Sequence, residues 1–405
     1  MNRVSTLNIH LYGELIGTIT DVGSDRSLFA FTEEYIADKN RPILSLGFKD
    51  SLGELITEFK TYQKKLMPFF SNLLPEEAMR KYLSERAGVN PEREFFILWV
   101  LGQDLPGAIS VEPADGEALP PHVHEPVEKL SGREKALRFS LAGVQLKVSA
   151  IKQTSDGLTV PVDGAGGSWI VKLPWSAHEG VPENEFSMME LARLVGIDVP
   201  DNKLISIDDI ENIPAGIGRY GNTAFSIKRF DRADDGSAIH IEDFAQIFGI
   251  YPHDKYKKAT MRNIANVIGI EGSESDVVEL IRRIVFNALI GNADMHLKNW
   301  SLIYNDPRIA SIAPAYDFVS TISYIEDDTM ALKVSRSKRF DDFSFDELAH
   351  MAAKARLPEK LVLDTARETV ALFHEHWAAE KANLPHARSV MDAIDAHLKT
   401  LPITQ

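Results

Sequence analysis

The 405-residue chain contains no cysteine. It therefore has no disulfide framework and no thiol nucleophile. It also lacks any apolar run near the roughly 20 residues needed to span a bilayer. The longest run, Phe95 to Leu101, suits a buried strand or helix. No membrane partner is expected. The opening residues, Met1-Asn2-Arg3-Val4-Ser5, lead straight into alternating strand-like sequence, without the apolar core of a signal peptide. These absences fit a cytoplasmic protein. Positive charge is in deficit, with 44 Lys and Arg against 59 Asp and Glu, a net of −15. That balance argues against strong nucleic-acid binding by the chain as a whole, which needs clustered Lys and Arg. Three short basic runs occur: Lys64-Lys65, Lys255 to Lys258, and Arg336-Ser337-Lys338-Arg339. Each reads as a solvated face. The last could still graze a phosphate backbone if a partner made the main contact.

What is present is ordinary for a globular protein, 44% apolar and 25% charged. At this length two or three domains are expected. Leu7, Ile9 and Leu11 alternate with polar residues, Gly13-Glu14 gives a turn, and Leu15 to Ile19 forms a second strand, so this is a hairpin. Phe29-Ala30-Phe31 and Ile43-Leu44-Ser45-Leu46 read as further strands. Phe69 to Glu76 opens a helical section, with Pro75-Glu76-Glu77 suited to a first helical turn. Residues 1–110 thus form a small α+β unit. A linker follows over 111–135. Residues 112–128 hold four prolines, two histidines and five acids. His122 and His124 have no matching ligand cluster, so an exposed linker accounts for them better than a metal.

From Phe139 the texture changes. A small-residue loop, Ser140 to Lys147, enters a strand. Trp169-Ile170-Val171-Lys172-Leu173-Pro174 is a strand with one lysine. Glu183-Asn184-Glu185 starts a helix that runs to Val195 and stops at Gly196. Leu204 to Ile207 and Ala224 to Arg232 are further strands. This order over 136–238 is that of a kinase small lobe. Residues 239–405 are mostly helical, interrupted by the stretch 292–317. The expected class is α+β: a protein-kinase-like bilobal fold with a small N-terminal α+β subdomain and a mostly helical C-terminal lobe.

The interruption carries the chemistry. Asn292-Ala293-Asp294-Met295-His296-Leu297-Lys298-Asn299 precedes an apolar run, a turn at Asn305-Asp306-Pro307, and a second run ending at Tyr316-Asp317. Asp294 and Asn299 have the Asp-x-x-x-x-Asn spacing of protein kinases. Phosphoryl transfer needs one Asp to receive the proton of the attacking hydroxyl, and an Asn and a second Asp to hold Mg²⁺ on the phosphates. Taken alone, Asp and Asn between apolar runs are commonly turn and cap residues. Four polar groups within six positions, between apolar flanks, favour a site. Lys172 inside an apolar strand needs a partner if buried. A phosphate or Glu185 would serve, or the side chain could snorkel from an edge strand. Glu185 could equally be a first-turn acid answering the helix dipole. The glycine in the Ser140 loop permits close backbone approach to phosphate, but the loop is not a Walker-type P-loop.

Together these segments resemble the HipA toxins, serine/threonine kinases of bacterial type II toxin–antitoxin modules. The resemblance runs nearly the whole length. It rests on Phe69-Phe70-Ser71-Asn72-Leu73-Leu74-Pro75, the Ser140 to Lys147 loop, Ile170 to Pro174, Lys228 to Arg232, Asp294 to Ser301, and Tyr316-Asp317. It implies ATP and Mg²⁺ as cofactors, Asp294 as base, Asn299 and Asp317 as metal holders, and Lys172 on the phosphates. Ala142, Gly143, Val144, Gln145, Leu146 and Lys147 would lie over those phosphates. Lys228, Arg229 and Phe230 would form an adenine hinge through their backbone, with side-chain identity of little weight. Glu185 would pair with Lys172. His296, Leu297, Lys298, Asn299 and Tyr316 would line the nucleotide. Ser140 would be autophosphorylated and the loop ejected, since phosphate adds about −1.5 to −2 charges beside ATP and the two aspartates. A hydroxyl capping nearby backbone is the plainer reading of Ser140 from its residue type alone. The implied partners are a HipB-like antitoxin, operator DNA mainly through that antitoxin, and a protein substrate, for which the family offers glutamate–tRNA ligase. Two other readings share parts of the pattern. A small-molecule kinase of the aminoglycoside-phosphotransferase type would need Asp294, Asn299 and Asp317 but not the Ser140 loop. A non-catalytic corepressor would need none of them.

Overall fold

The computed structural model describes residues 4–75, 80–81, 84, 89–102, 104–114, 147–152, 158–159, 167–174, 178–211, 221–326 and 328–405. Most of the predicted linker, Ser140, the loop Ala142 to Leu146, and most of the helical section after Pro75 lie outside them.

The N-terminal unit is a five-stranded antiparallel sheet in the order β4-β3-β2-β1-β5. Its strands are β1 Thr6–Leu11, β2 Glu14–Gly23, β3 Arg26–Phe31, β4 Tyr62–Gln63 and β5 Ile109–Pro113. The predicted hairpin is β1–β2. Its two turn residues, Tyr12 and Gly13, both have positive φ, which matches the right-handed strand twist. Ile43 to Leu46 is not a strand. It is a loop that enters a short 3-10 turn at Leu46–Phe48, capped by Ser45. Its apolar residues are spent on the seam between units. Leu44 joins the N-terminal core, and Leu46 joins the core of the large lobe.

The middle unit is a six-stranded sheet in the order β10-β7-β6-β8-β11-β9. It contains β6 Lys147–Lys152, β7 Leu158–Thr159, β8 Trp169–Lys172, β9 Asn202–Ser206, β10 Ile210–Glu211 and β11 Thr223–Lys228. The helix Val181–Leu194 packs between this sheet and the large lobe. Met188, Met189, Leu191 and Ala192 are its buried stripe, at the three- and four-residue spacing a helix face requires. Gly196, with φ +85°, ends it.

The large lobe is helical, with Met261–Glu271, Glu274–Leu289, Phe345–Ala355, Glu359–Glu380 and Arg388–Leu398 around one apolar core. The predicted interruption is present as β13 Ser301–Asp306 and β14 Ile309–Ile312. A third strand, β12 His240–Asp243, pairs with β13 and was not expected from sequence. No helix among the described residues is long and apolar enough to cross a membrane. Both arginines of the last basic run are paired within the chain. Arg336 pairs with Asp346 and Glu347, and Arg339 with Asp328 and Asp341.

Candidate active site

The cleft is assembled by the end of one helix and the turn after one hairpin. Helix Glu274–Leu289 starts with a capping box between Ser273 and Asp276. It ends at Gly291, φ +65°, where Asn292 N–H donates back to the Asn287 carbonyl (2.9 Å). The chain then turns sharply into the Asp294 loop. Asn292, 1% exposed, braces that loop. Its Oδ1 accepts from Asp294 N–H (3.0 Å), and its Nδ2 donates to Asn287 Oδ1 (2.8 Å) and the Asp317 carbonyl (3.4 Å). Thr321 accepts from Ala293 N–H (2.8 Å). The Asn299 amide donates to the Asp294 carbonyl across the loop (3.1 Å). The two residues of the Asp-x-x-x-x-Asn spacing are therefore held together by a single tight turn.

Asp317 stands opposite. Its φ of +65° is a left-handed conformation that Asp tolerates better than most residues. Such local strain is common where a side chain must be aimed. The Lys172 ammonium, 5% exposed, bridges Asp317 and Glu185. Lys147 Nζ lies 3.6 Å from Asp317 Oδ1. Burial disfavours the Asp317 charge, but Lys147 and Lys172 overcome it and hold the carboxyl far below its ordinary range. Burial also opposes the Lys172 charge, and its two carboxylates more than offset that. Glu185, 1% exposed, is pushed up by burial and by Asp317, with Lys172 pulling against them. Lys172 is thus not a snorkelling edge residue, and Glu185 is more than a helix-cap acid. Among the described residues, the buried Glu185 Oε2 has no hydrogen-bond partner.

Asp294 differs in kind. Solvent reaches it, yet crowding by the protein raises its carboxyl above the usual range. Asp317 pushes the same way; the Tyr256 hydroxyl, Lys255 and Lys147 pull back. The Tyr256 hydroxyl donates to Asp294 Oδ1 at 2.5 Å, and its ring stands edge-on to His296 with centroids 5.1 Å apart. A carboxylate in this setting suits a general base.

The other expected residues divide into two groups. The Tyr316 hydroxyl donates to the Lys298 carbonyl (2.9 Å), and its ring lies 5.6 Å from that of Phe230, giving the cleft an aromatic wall. Leu297 is fully buried beneath the loop and His296 nearly so. By contrast, the Lys298 ammonium reaches the Asn72 carbonyl of the N-terminal unit (3.0 Å). The Lys228 and Arg229 N–H groups donate to the Asp201 and Ser168 carbonyls (both 2.8 Å), so these two donors already have partners within the chain. The Arg229 side chain matters greatly, contrary to the sequence expectation. It forks onto Asp231 (2.9 Å at both oxygens) and reaches Asp104 (2.9 Å). Tyr256 and Asn292 were not anticipated as site residues, because their partners lie on other segments or on backbone atoms. The signal available was Tyr256 inside the basic run that borders the loop.

The donor set fits a Mg²⁺–nucleotide. No cluster of three His, Asp or Glu able to hold a metal occurs among the described residues. One carboxylate and one amide are few for a metal alone but suffice for Mg²⁺ that takes its remaining ligands from phosphates and water. Asp317 and Asn299 would be the protein's two donors.

Residues 7–112 match the HipA N-terminal domain, and residues 139–377 match the HipA-like C-terminal domain. The chain is 55% identical to Y4dM of Sinorhizobium fredii, which bears a provisional kinase name, over all of this chain and 98% of that one. It is 25% identical to the serine/threonine-protein kinase toxin HipA of Shewanella oneidensis, over 98% of this chain and 94% of that one. The HipA of Shewanella oneidensis MR-1 in its complex with HipB and operator DNA superposes with a TM-score of 0.72 at 21% identity, covering 97% of each chain, which shows a common fold. The chain belongs to the HipA family.

Proposed function

We propose that this protein is an ATP- and Mg²⁺-dependent serine/threonine protein kinase, the toxin of a type II toxin–antitoxin module. The observation that carries the reading is the buried Lys172–Glu185–Asp317 cluster facing the Asp294–Asn299 turn. Asp294 takes the proton of the acceptor hydroxyl as that oxygen attacks the terminal phosphorus and the bond from that phosphorus to the bridging oxygen breaks, releasing ADP. Lys172 leaves part of its carboxylate pairing to bind phosphate oxygens, and Lys147 adds a second cation at the cleft mouth. Asp317 and Asn299 hold Mg²⁺, which when bound neutralises charge on the phosphates. Phe230 and Tyr316 flank the adenine. The acceptor is a component of translation, with glutamate–tRNA ligase the family candidate. A HipB-like antitoxin, the partner in the complex of the Shewanella fold relative, holds the kinase inactive in the cytoplasm and brings it to operator DNA. Phosphate on Ser140 silences the enzyme by charge repulsion with ATP.

The test is transfer of labelled phosphate from ATP with Mg²⁺, comparing wild type with Asp294→Asn and Ser140→Ala, followed by mapping of the labelled peptide. Label on Ser140 in wild type alone supports both kinase and switch. Label that persists in Ser140→Ala but not in Asp294→Asn keeps the kinase and removes the switch. No label in any sample, from protein free of prior phosphate, overturns the kinase and favours a small-molecule kinase or a corepressor.

A further inference from the structure

A phosphoryl acceptor must place its hydroxyl on the base at hydrogen-bond distance before transfer. That seat is occupied by the chain itself. The Tyr256 hydroxyl donates to Asp294 Oδ1 at 2.5 Å, across 38 residues of sequence. The contact is not an incidental surface bond. The segment bearing Tyr256 is stitched to the Asp294 loop, because Leu297 N–H donates to the Lys255 carbonyl (3.3 Å). The Tyr256 ring also rests edge-on against His296 in the same loop. Nor is the ring locked in a core. It is 44% exposed, on a turn between the short Pro252–Asp254 helix and Lys258, whose φ is +66°. The ring can therefore swing away without opening a cavity.

We propose that Tyr256 is an acceptor-side gate: its hydroxyl stands in for the substrate hydroxyl on Asp294 Oδ1, keeps water off that oxygen, and is displaced by the incoming serine or threonine. The inference rests on the phosphoryl-transfer reading above. It goes beyond that reading by assigning a residue that limits wasteful hydrolysis. In the wild type, a water attacking the terminal phosphorus must compete with a charge-assisted bond. A correctly held protein hydroxyl, carried by its own docking contacts, displaces the phenol more readily. Removing the phenol oxygen alone should make the base accessible to any hydroxyl, water included.

The experiment uses the full chain on a Ser140→Ala background, so that self-silencing cannot mask turnover. Steady ADP release from Mg²⁺–ATP is measured without added acceptor for Tyr256 intact, Tyr256→Phe, Tyr256→Leu, and Tyr256→Phe combined with Asp294→Asn. ATP binding is followed separately by thermal shift, and Tyr256 is examined for phosphate by mass spectrometry. Loss of one charge-assisted bond corresponds to a rise of about ten-fold in ADP release for Tyr256→Phe. The rise should recur in Tyr256→Leu and vanish when Asp294 is also changed. Unchanged or lower release in both Tyr256 variants, with ATP binding retained, overturns the gate and makes Tyr256 a structural or orienting residue. Phosphate on Tyr256 also overturns it, in favour of an acceptor. Absence of ATP binding in every sample, Tyr256 intact included, defeats the phosphoryl-transfer reading itself and the gate with it.

Discussion

Two buried ion clusters stand at opposite ends of the β8–β11 strand pair. At one end Lys172 meets Glu185 and Asp317. At the other, just past β11, Arg229 and Arg232 meet Asp104 and Asp231. Both combine cations with two carboxylates away from solvent. The second is saturated. The planar Arg229 fork fits Asp231 at both oxygens, Arg232 adds bonds to the Gly107 and Leu105 carbonyls (2.9 and 3.1 Å), and Gly107 N–H donates to Asp231 (2.9 Å). That is a clamp between the N-terminal unit and the small lobe. The first uses a lysine, a point charge that can turn between partners. It keeps one buried Glu185 oxygen without a partner among the described residues, and it includes an aspartate in a left-handed conformation. Burial of charge does not by itself mark function. On the proposed reading, the incompletely satisfied cluster is the one that takes a ligand, and the saturated one ties the N-terminal unit to the small lobe.

This contrast can be broken from either side. The largest effect is expected for Asp294→Asn, with label transfer from ATP reduced about 10²–10⁴-fold and the melting temperature nearly unchanged, read by phosphorylation assay beside calorimetry. At the other cluster, Asp231→Asn breaks a buried pair while leaving both arginines. Its expected cost is about 3–5 kcal/mol of stability, measured by urea unfolding. Retained stability in that variant would remove the clamp.

A third prediction concerns the seam between the N-terminal unit and the large lobe. Glu242, fully buried, accepts from Leu46 N–H (2.9 Å) and the hydroxyls of Ser45 and Tyr304. Burial pushes its carboxyl up to about 7, against the hydrogen bonds that pull it down. A raised acid binds a proton more readily folded than unfolded. Its contribution is complete below its unfolded value and is lost as pH rises through about 7. His240 beside it is pushed down to about 4 by burial, so its contribution is present above its unfolded value and is lost as pH falls through about 4. Glu242→Gln should flatten the decline in stability between about pH 5 and 7, which amounts to about 2–3 kcal/mol in the wild type. Denaturation midpoints across that range check it; an unchanged slope rules Glu242 out as its source.

The smallest effect is expected for Lys298→Met. Loss of its bond to the Asn72 carbonyl should cost about 1 kcal/mol without weakening ATP binding. A large rise in the ATP dissociation constant, followed by titration, would return Lys298 to the nucleotide side.

Much of this layout is readable from sequence where the signal is local. The β1–β2 hairpin, the lysine strand, the helix ending at Gly196 and the Asp294–Asp317 hairpin all follow from alternation, turns and stops within a few residues. What was not legible depends on partners far along the chain. β12 is four residues with two buried polar side chains, His240 and Glu242, so its pattern is not that of a strand. The role of Arg229 depends on Asp104, 125 residues earlier, and that of Tyr256 on Asp294. Ile43 to Leu46 has strand-like composition but serves a seam, where no neighbouring strand is offered. For Lys172 and Glu185, residue type and spacing left the pairing open, and three-dimensional proximity decides it.

The most direct measurement is the rise in melting temperature on adding Mg²⁺–ATP to the full chain, for wild type, Asp317→Asn and Asp231→Asn. The account predicts a clear rise in wild type and its loss in Asp317→Asn, whose ligand-free melting is itself lowered because Lys172 and Lys147 lose a carboxylate partner. It predicts for Asp231→Asn a lowered ligand-free melting temperature with the rise retained. An undiminished rise in Asp317→Asn, or none in wild type, would contradict the assignment of the Lys172 cluster to the nucleotide.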